Sequence, residues 1–445
     1  MPTFTRTLHL PLRKSQNEKK STLPVDMNRV AAIILGGGKG TRLFPLTQCR
    51  CKPAISFGGR YRLIDVPISN SINSGCHKIF VITQFLSSSL HQHIFQTYRQ
   101  DIFSNGFLEM LPAEQRHEHD RWFEGTADAV RQNRDYFIDT PVDYFLILSG
   151  DQLYKMDFRR MVQFAKQTDA DMVVGALPIS KQDAKRMGVL KIDKDHFITN
   201  FHEKPQEEEI LEKMASFYDR DTPYSVSRPY LGSMGIYLFK REALLSLLEM
   251  DTREDFGKHL IPTKVRMGNA VAFLHEGYWE DIGTIASFYE ANLALTQESP
   301  IFNTYEEAWP VFSCRYNLPG PKIHDTHVVN SIICEGGIIE AKEISNSILG
   351  PRTVVKKGCE IRGCYFIGND FYRPPLRTDR LPEELHIGEN CVIHKAILDK
   401  HVCLGNNVRL INKNNLENYS SDDVYIRDGI IVVPRGSVLP NNFVL

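Results

Sequence analysis

The sequence predicts a doubly wound α/β domain followed by a parallel β-helix, and three observations carry that prediction. From Val30 to about Gln297, short continuous apolar runs alternate with longer mixed segments, the pattern of buried parallel strands joined by helices. Beyond Pro300 the texture changes to aliphatic beats six residues apart, each turning one branched side chain into a thin shared core. The length of 445 residues exceeds what a single core usually serves, so two or three units are expected.

Residues 1–28 hold Arg6, Arg13, Lys14, Lys19 and Lys20 among several Ser and Thr with few acids. They read as a disordered basic extension, with a short transit peptide as the alternative. The first domain is expected over 29–297, with strands at Val30–Leu35, Lys78–Gln84, Tyr144–Leu148, Met172–Leu177, Gly235–Phe239 and Val271–Leu274 and a helix over Thr126–Phe137. Ligands of such sheets bind beyond the carboxyl ends of the strands. A linker over 298–321, with Pro300, Pro310, Pro319, Gly320 and Pro321, leads into the second domain at 322–445. There the beats are Ile338 and Ile344; Val355, Ile361 and Ile367; Ile387 and Ile393; and Leu398, Leu404 and Leu410, with Gly358, Gly388 and Gly405 between them. An irregular β domain with accidental spacing is the competing reading. The Pro- and charge-rich stretch Asp370–Glu384 reads as a loop leaving one coil.

With 53 basic against 54 acidic side chains, the net charge is −1, which gives no support to a nucleic-acid or membrane-surface role. The longest apolar runs fall far short of the ~20 residues that span a bilayer, so a soluble, cytoplasmic protein is expected, or a plastid-stromal one if the extension is a transit peptide. Nine cysteines, an odd number without paired metal-ligand spacing, suggest free thiols in a reducing compartment.

The first strand runs into Gly36-Gly37-Gly38-Lys39-Gly40-Thr41-Arg42-Leu43-Phe44-Pro45-Leu46-Thr47. Glycines there let backbone N–H groups close around phosphate oxygens, and a following helix would add its dipole. The turn is neither a Walker A loop, because Lys39 precedes the final glycine, nor a dinucleotide fingerprint, because Leu43 stands where its last glycine belongs. Arg42, Lys52, Arg60, Arg62 and Asp65 follow closely, a set whose cations suit a triphosphate. Arg42 is placed to bind oxygens bidentately and Lys52 to supply a point charge to departing pyrophosphate. Asp151 and Asp281, each after a strand, read locally as turn formers or helix caps. Glu203-Lys204-Pro205 offers a carboxylate beside an ammonium, or merely an exposed ion pair.

These motifs resemble the ADP-glucose pyrophosphorylase (glucose-1-phosphate adenylyltransferase) family. The resemblance continues through Lys52-Pro53-Ala54, Tyr61-Arg62-Leu63-Ile64-Asp65, Trp122 to Val130, Ser149-Gly150-Asp151-Gln152-Leu153-Tyr154, Phe201-His202-Glu203-Lys204-Pro205, Ser233-Met234-Gly235-Ile236-Tyr237 and Tyr278 to Thr284, in the family's order over about 29–445. It implies a Rossmann-like nucleotidyltransferase domain and a left-handed β-helix of hexapeptide repeats. It further implies ATP and glucose 1-phosphate as substrates, Mg²⁺ held by Asp151 and Asp281, and Lys204 on the sugar phosphate with Glu203 on the glucose. Gly188 and Ser233 join the sugar site. Phe123 stands where some members carry Tyr, which removes a hydroxyl contact. Gly36, Gly37 and Gly38 cradle the nucleotide, Gln84 and Gly125 match base-recognition positions, and Gln115 and Arg116 match a mobile loop that closes on ATP.

The resemblance also implies a homotetramer and a phosphorylated allosteric effector bound between the domains. Lys400 matches an effector lysine of the plant and cyanobacterial branch, and Arg435 stands where that branch has another lysine; Cys49 replaces a lysine used elsewhere for a sugar bisphosphate. Rival expectations are a related enzyme using UTP, dTTP or another sugar phosphate, and a regulatory subunit that binds nucleotide without catalysis. Acyl transfer, frequent among hexapeptide β-helices, would need a catalytic His at a coil interface, for which His386, His394 and His401 are available.

Overall fold

The computed structural model describes residues 25–99, 105–113, 122–215, 228–374 and 382–445. Most of the expected N-terminal extension, the loop residues Gln115 and Arg116, and the middle of the Asp370–Glu384 insert lie outside them. Within 25–28, Asp26 accepts the Asn28 N–H to cap a turn at Met27–Arg29, and Met27 is buried in the core.

The first domain is built on a nine-stranded sheet. Its main path runs Ile198–Glu203, Gly188–Ile192, Tyr230–Lys240, Tyr144–Ser149, Val30–Leu35, Lys78–Thr83 and Phe107–Pro112. Met172–Ile179 also pairs with Tyr230–Lys240 and carries Ala270–Leu274. The six expected strands are all present. The sheet is mixed rather than wholly parallel: Tyr230–Lys240 runs antiparallel to Tyr144–Ser149, Met172–Ile179 and Gly188–Ile192. A continuous apolar run records burial of both faces but not strand direction, which is why the sequence could not distinguish the two. The helix expected over Thr126–Phe137 is two short helices, Thr126–Gln132 and Arg134–Ile138, meeting at Asn133.

The second domain is a three-sided parallel β-helix. Stacked inward residues define its faces: Ile339, Val355, Ile387, Leu404 and Leu439; Ile344, Ile361, Ile393 and Leu410; and Leu349, Phe366, Leu398 and Val433. All of these belong to one buried cluster. Two expected beats are corrected. Ile338 is 38% exposed while its neighbour Ile339 points inward, and Ile367 joins the core shared with the first domain while Phe366 fills the helix. Successive strand residues alternate faces, so a one-residue slip exchanges inside for outside.

That shared core fixes the two domains against each other. Outward residues of one β-helix face, Ile348, Tyr365, Ile397 and Val432, pack into the same cluster as Phe57, Phe288 and Leu295. The Phe288 and Tyr365 rings lie 5.6 Å apart, and the Tyr365 hydroxyl donates to the Ser56 carbonyl at 2.8 Å. Each such large side chain contributes about 1.5–3 kcal/mol by leaving water. The intervening segment is tied down as well: Trp309 Nε1 donates to Asn70 Oδ1, and the Ser313 hydroxyl to Asp65 Oδ2.

Candidate active site

Val30–Leu35, Lys78–Thr83 and Tyr144–Ser149 are parallel, so the residues following them, Gly36, Gln84 and Asp151, emerge along one edge. The Gly36 N–H donates to the Ile82 carbonyl at 2.8 Å. Gly37 packs on Gln84, whose amide donates to the Phe123 carbonyl at 3.3 Å, and a Cβ at Gly38 would meet nothing within 4 Å. Phe123 itself is half-buried against the core. The expected helix dipole is absent, because the turn leads only into a three-residue 3-10 turn, Thr41–Leu43. Exposed backbone and cations are what the turn offers an anion.

Lys52 is the centre of the site. It is only 7% exposed, and its ammonium lies 2.6 Å from Asp151 Oδ2 and 3.4 Å from Asp281 Oδ1. Both carboxylates therefore face one point beside the glycine turn. Asp281 arrives there through a small strand, Trp279–Asp281, paired antiparallel with Gln152–Tyr154 so that Asp281 opposes Gln152, rather than from the end of the Ala270–Leu274 strand. The Ser149 hydroxyl donates to Asp151 Oδ1. Burial works to raise the Asp151 pKa, but the Lys52 ammonium, joined by hydrogen bonds from Ser149 and the backbone, outweighs it and holds the carboxyl below its usual range. Burial likewise works against the Lys52 ammonium, which Asp151 and Asp281 raise above its ordinary value. A Cβ at Gly283 would stand 3.2 Å from Asp281 Oδ2 and 3.4 Å from Arg42 Nη1, so that glycine leaves the gap in which guanidinium and carboxylate approach.

Two acid side chains suit a cation that fills its remaining shell with phosphate oxygens and water. Among the described residues no group of three or more His, Cys, Asp or Glu gathers as a metal cage. The hard oxygens of Asp151 and Asp281 are of the kind Mg²⁺ prefers.

Farther along the same edge, Glu203 pairs with Gly188, and Ser233 follows the Gly232–Val189 pair. A Cβ on Gly188 would come within 2.7 Å of Glu203 Oε2 and 2.6 Å of the Phe201 ring, so only glycine admits that carboxylate. Gly257, to which the sequence alone assigns no role, also approaches Glu203, with a Cβ position 2.8 Å from Oε2. Burial pushes the Glu203 carboxyl up, partly offset by Lys204, whose Nζ is 3.5 Å away. Lys204 is largely exposed and holds a left-handed backbone (φ 48°), uncommon for lysine. The Gly235 N–H donates to the buried Ser233 hydroxyl oxygen at 3.3 Å. Gly125 has a packing reason of its own: a Cβ there would lie 2.3 Å from the Glu254 carbonyl, which accepts the Ala127 N–H at 2.8 Å.

A second polar site lies between the domains, a cleft of about 340 Å³ lined by Arg50, Arg62, Arg352, Lys400 and Arg435 around Asp370. Asp370 takes the Lys400 ammonium, His401 Nε2 at 3.0 Å and Arg435 Nη2 at 3.6 Å. Burial pulls the Lys400 ammonium down, with Asp370 opposing. Arg60 and Arg62 are a correction to the triphosphate set. Arg62 lines this cleft, Arg60 reaches Glu335 at 3.6 Å, and Asp65 is buried on His93 at 2.6 Å. The closeness of Arg60 and Arg62 to the glycine turn in sequence is undone by the Ser56–Phe57/Tyr61–Arg62 hairpin, which carries these two arginines toward the β-helix.

A family model described as nucleotidyl transferase matches residues 31–298. The chain belongs to the nucleotidyl transferase family. Its second domain matches the GLGC left-handed parallel β-helix domain over residues 315–444, which gives the coil a handedness. In this nucleotidyl transferase the glycine turn, Lys52, Asp151 and Asp281 converge within the first matched region, and Lys400 and Arg435 lie within the second. All nine cysteines are free thiols. No helix among the described residues is long and apolar enough to cross a membrane.

Proposed function

We propose that the chain is a glucose-1-phosphate adenylyltransferase, joining ATP to α-D-glucose 1-phosphate and releasing pyrophosphate, the step that forms the glucosyl donor for glycogen or starch. The observation that carries this reading is the Lys52 ammonium held between Asp151 and Asp281 beside the glycine turn. The pairing of a nucleotidyl transferase domain with a GLGC β-helix supports it.

In this reading an oxygen of the sugar phosphate attacks the α-phosphorus of ATP as the bond to the bridging pyrophosphate oxygen breaks. A phosphate monoester has its second pKa near ~6, so the nucleophile needs no general base. Catalysis is then positioning and charge stabilisation. Mg²⁺ on Asp151 and Asp281 supplies neutralisation of phosphate charge when bound. Lys52 and Arg42 draw on the departing pyrophosphate, Lys204 fixes the attacking phosphate, and Glu203 and Ser233 accept or donate to sugar hydroxyls. Gly37 and Gly38 bring backbone N–H groups to the nucleotide phosphates, Gly36, whose own N–H is held by the Ile82 carbonyl, opens the turn toward them, and Gln84 takes the base.

Pyrophosphate release, measured over a panel of nucleoside triphosphates and sugar 1-phosphates, is expected to peak with ATP and glucose 1-phosphate and to require Mg²⁺. A maximum with UTP or dTTP would move the chain to a sister activity, and none with any pair would remove the enzymatic reading. We assign the interdomain cleft to a phosphorylated effector in a homotetramer, with phosphoglycerate activating and phosphate inhibiting. Activity is expected to respond to both in the millimolar range and Lys400→Ala to flatten the response; a flat wild-type titration would reject the assignment.

A further inference from the structure

We propose that Arg427, carried by the β-helix domain, is a third cation on the phosphate chain of the nucleotide, beside Arg42 and Lys52. The proposal rests on the triphosphate reading of the glycine turn.

The β-helix coil between Leu410 and Val433 is lengthened by antiparallel strands at Tyr419–Ser420, Tyr425–Arg427 and Ile430–Val433. This excursion is pinned to the first domain on either side of Arg427. The Tyr425 ring meets Phe44 edge-on at 5.4 Å, and the Asp428 carboxylate accepts the Ala286 N–H at 3.1 Å. Phe44 stands two residues after Arg42, and Ala286 three after Gly283, the glycine that lies between Arg42 and Asp281. Arg427 is thereby set at the mouth of the site, and with Lys39, Thr41, Arg42, Phe44 and Thr47 it lines a pocket of about 520 Å³. That volume is in the range of nucleotide-sized sites.

The lining is one-signed. Lys39, Arg42 and Arg427 contribute three cations and no carboxylate. Arg427 is also pre-positioned: Nη1 donates to the Tyr419 and Ile426 carbonyls, both at 2.7 Å, and Nη2 to the Ser420 hydroxyl at 2.9 Å. Those acceptors are neutral, so they orient the guanidinium without cancelling its charge. A planar, oriented guanidinium facing an acid-free pocket suits phosphate oxygens. The nucleotide site is then shared between the domains.

The test uses the full chain and inorganic pyrophosphate with Mg²⁺ as the probe, titrated calorimetrically against wild type, Arg427→Gln, Arg427→Lys and Arg42→Gln, with thermal midpoints measured alongside. Losing one charge-assisted contact is expected to weaken pyrophosphate by about tenfold in Arg427→Gln, at an unchanged midpoint, with Arg427→Lys recovering part. Arg427→Gln binding like wild type while Arg42→Gln binds weakly would overturn the role of Arg427 and leave the triphosphate site standing. Unchanged binding in both would bring down the triphosphate reading and the proposal with it. A lowered midpoint that Arg427→Lys restores without restoring affinity would reduce Arg427 to a hairpin support and overturn the proposal.

Discussion

Asp151→Asn is expected to keep the fold and lower turnover by roughly 10²–10³, the loss typical of one electrostatic catalytic group. The amide is nearly isosteric, so the sheet edge and the Ser149 contact survive. What disappears is one of two negative charges facing Lys52, and with it half of the carboxylate pair proposed to hold Mg²⁺. The second partner, Asp281 at 3.4 Å, keeps the ammonium from being orphaned, which is why the variant should fold. Losing Asp151 removes the larger of the two attractions that raise Lys52, so the alkaline limb of the pH–rate profile should move to lower pH. The stability effect has the opposite direction in pH. A carboxyl held below its unfolded value contributes stability that is present above about pH 4 and fades as pH falls through its folded pKa. Wild type and Asp151→Asn should therefore differ in urea midpoint near neutrality and converge in acid. Turnover near the wild-type value would discard the catalytic assignment of Asp151.

How much of this was legible in the sequence depends on the range of the interactions concerned. Strands such as Val30–Leu35 are local facts of composition, and the sequence placed that one at its observed bounds. The stacked beats Val355, Ile361, Ile387 and Ile393 were legible for the same reason, since each coil repeats a local pattern. The convergence of Lys52 with Asp151 and Asp281 spans 229 residues of chain and entered through the family resemblance, because either aspartate alone reads as a turn former. Gly257 and Arg427 carried no signal. Gly257 matters only because the π-helical turn Phe256–Leu260 brings its backbone against Glu203, and Arg427 only because its hairpin folds back onto Phe44. Arg62 failed in the other direction, because a two-stranded hairpin turned a neighbour in sequence away from the site.

Asp399→Ala is expected to destabilise the chain by about 3–5 kcal/mol, the range for stranding one partner of a buried ion pair. Arg50 and Asp399 are 349 residues apart, with side chains 3% and 1% exposed, and they join the first domain to the end of the Val392–Leu398 strand. Burial works to neutralise the Arg50 guanidinium, and Asp399, the largest of the opposing influences, together with Cys49 outweighs it. Without Asp399 that guanidinium must reach the solvent of the interdomain cleft or remain uncompensated. Arg50 also lines the cleft that holds Lys400 and Arg435, so freeing its charge should tighten inorganic phosphate there even as the fold weakens. Arg50→Met/Asp399→Leu should recover most of the lost stability, because a buried pair gains little over apolar packing once desolvation is counted. Urea midpoints of the two variants decide the matter. A double variant as weak as Asp399→Ala would mean that the pair itself, rather than the cost of an orphaned charge, holds the domains together.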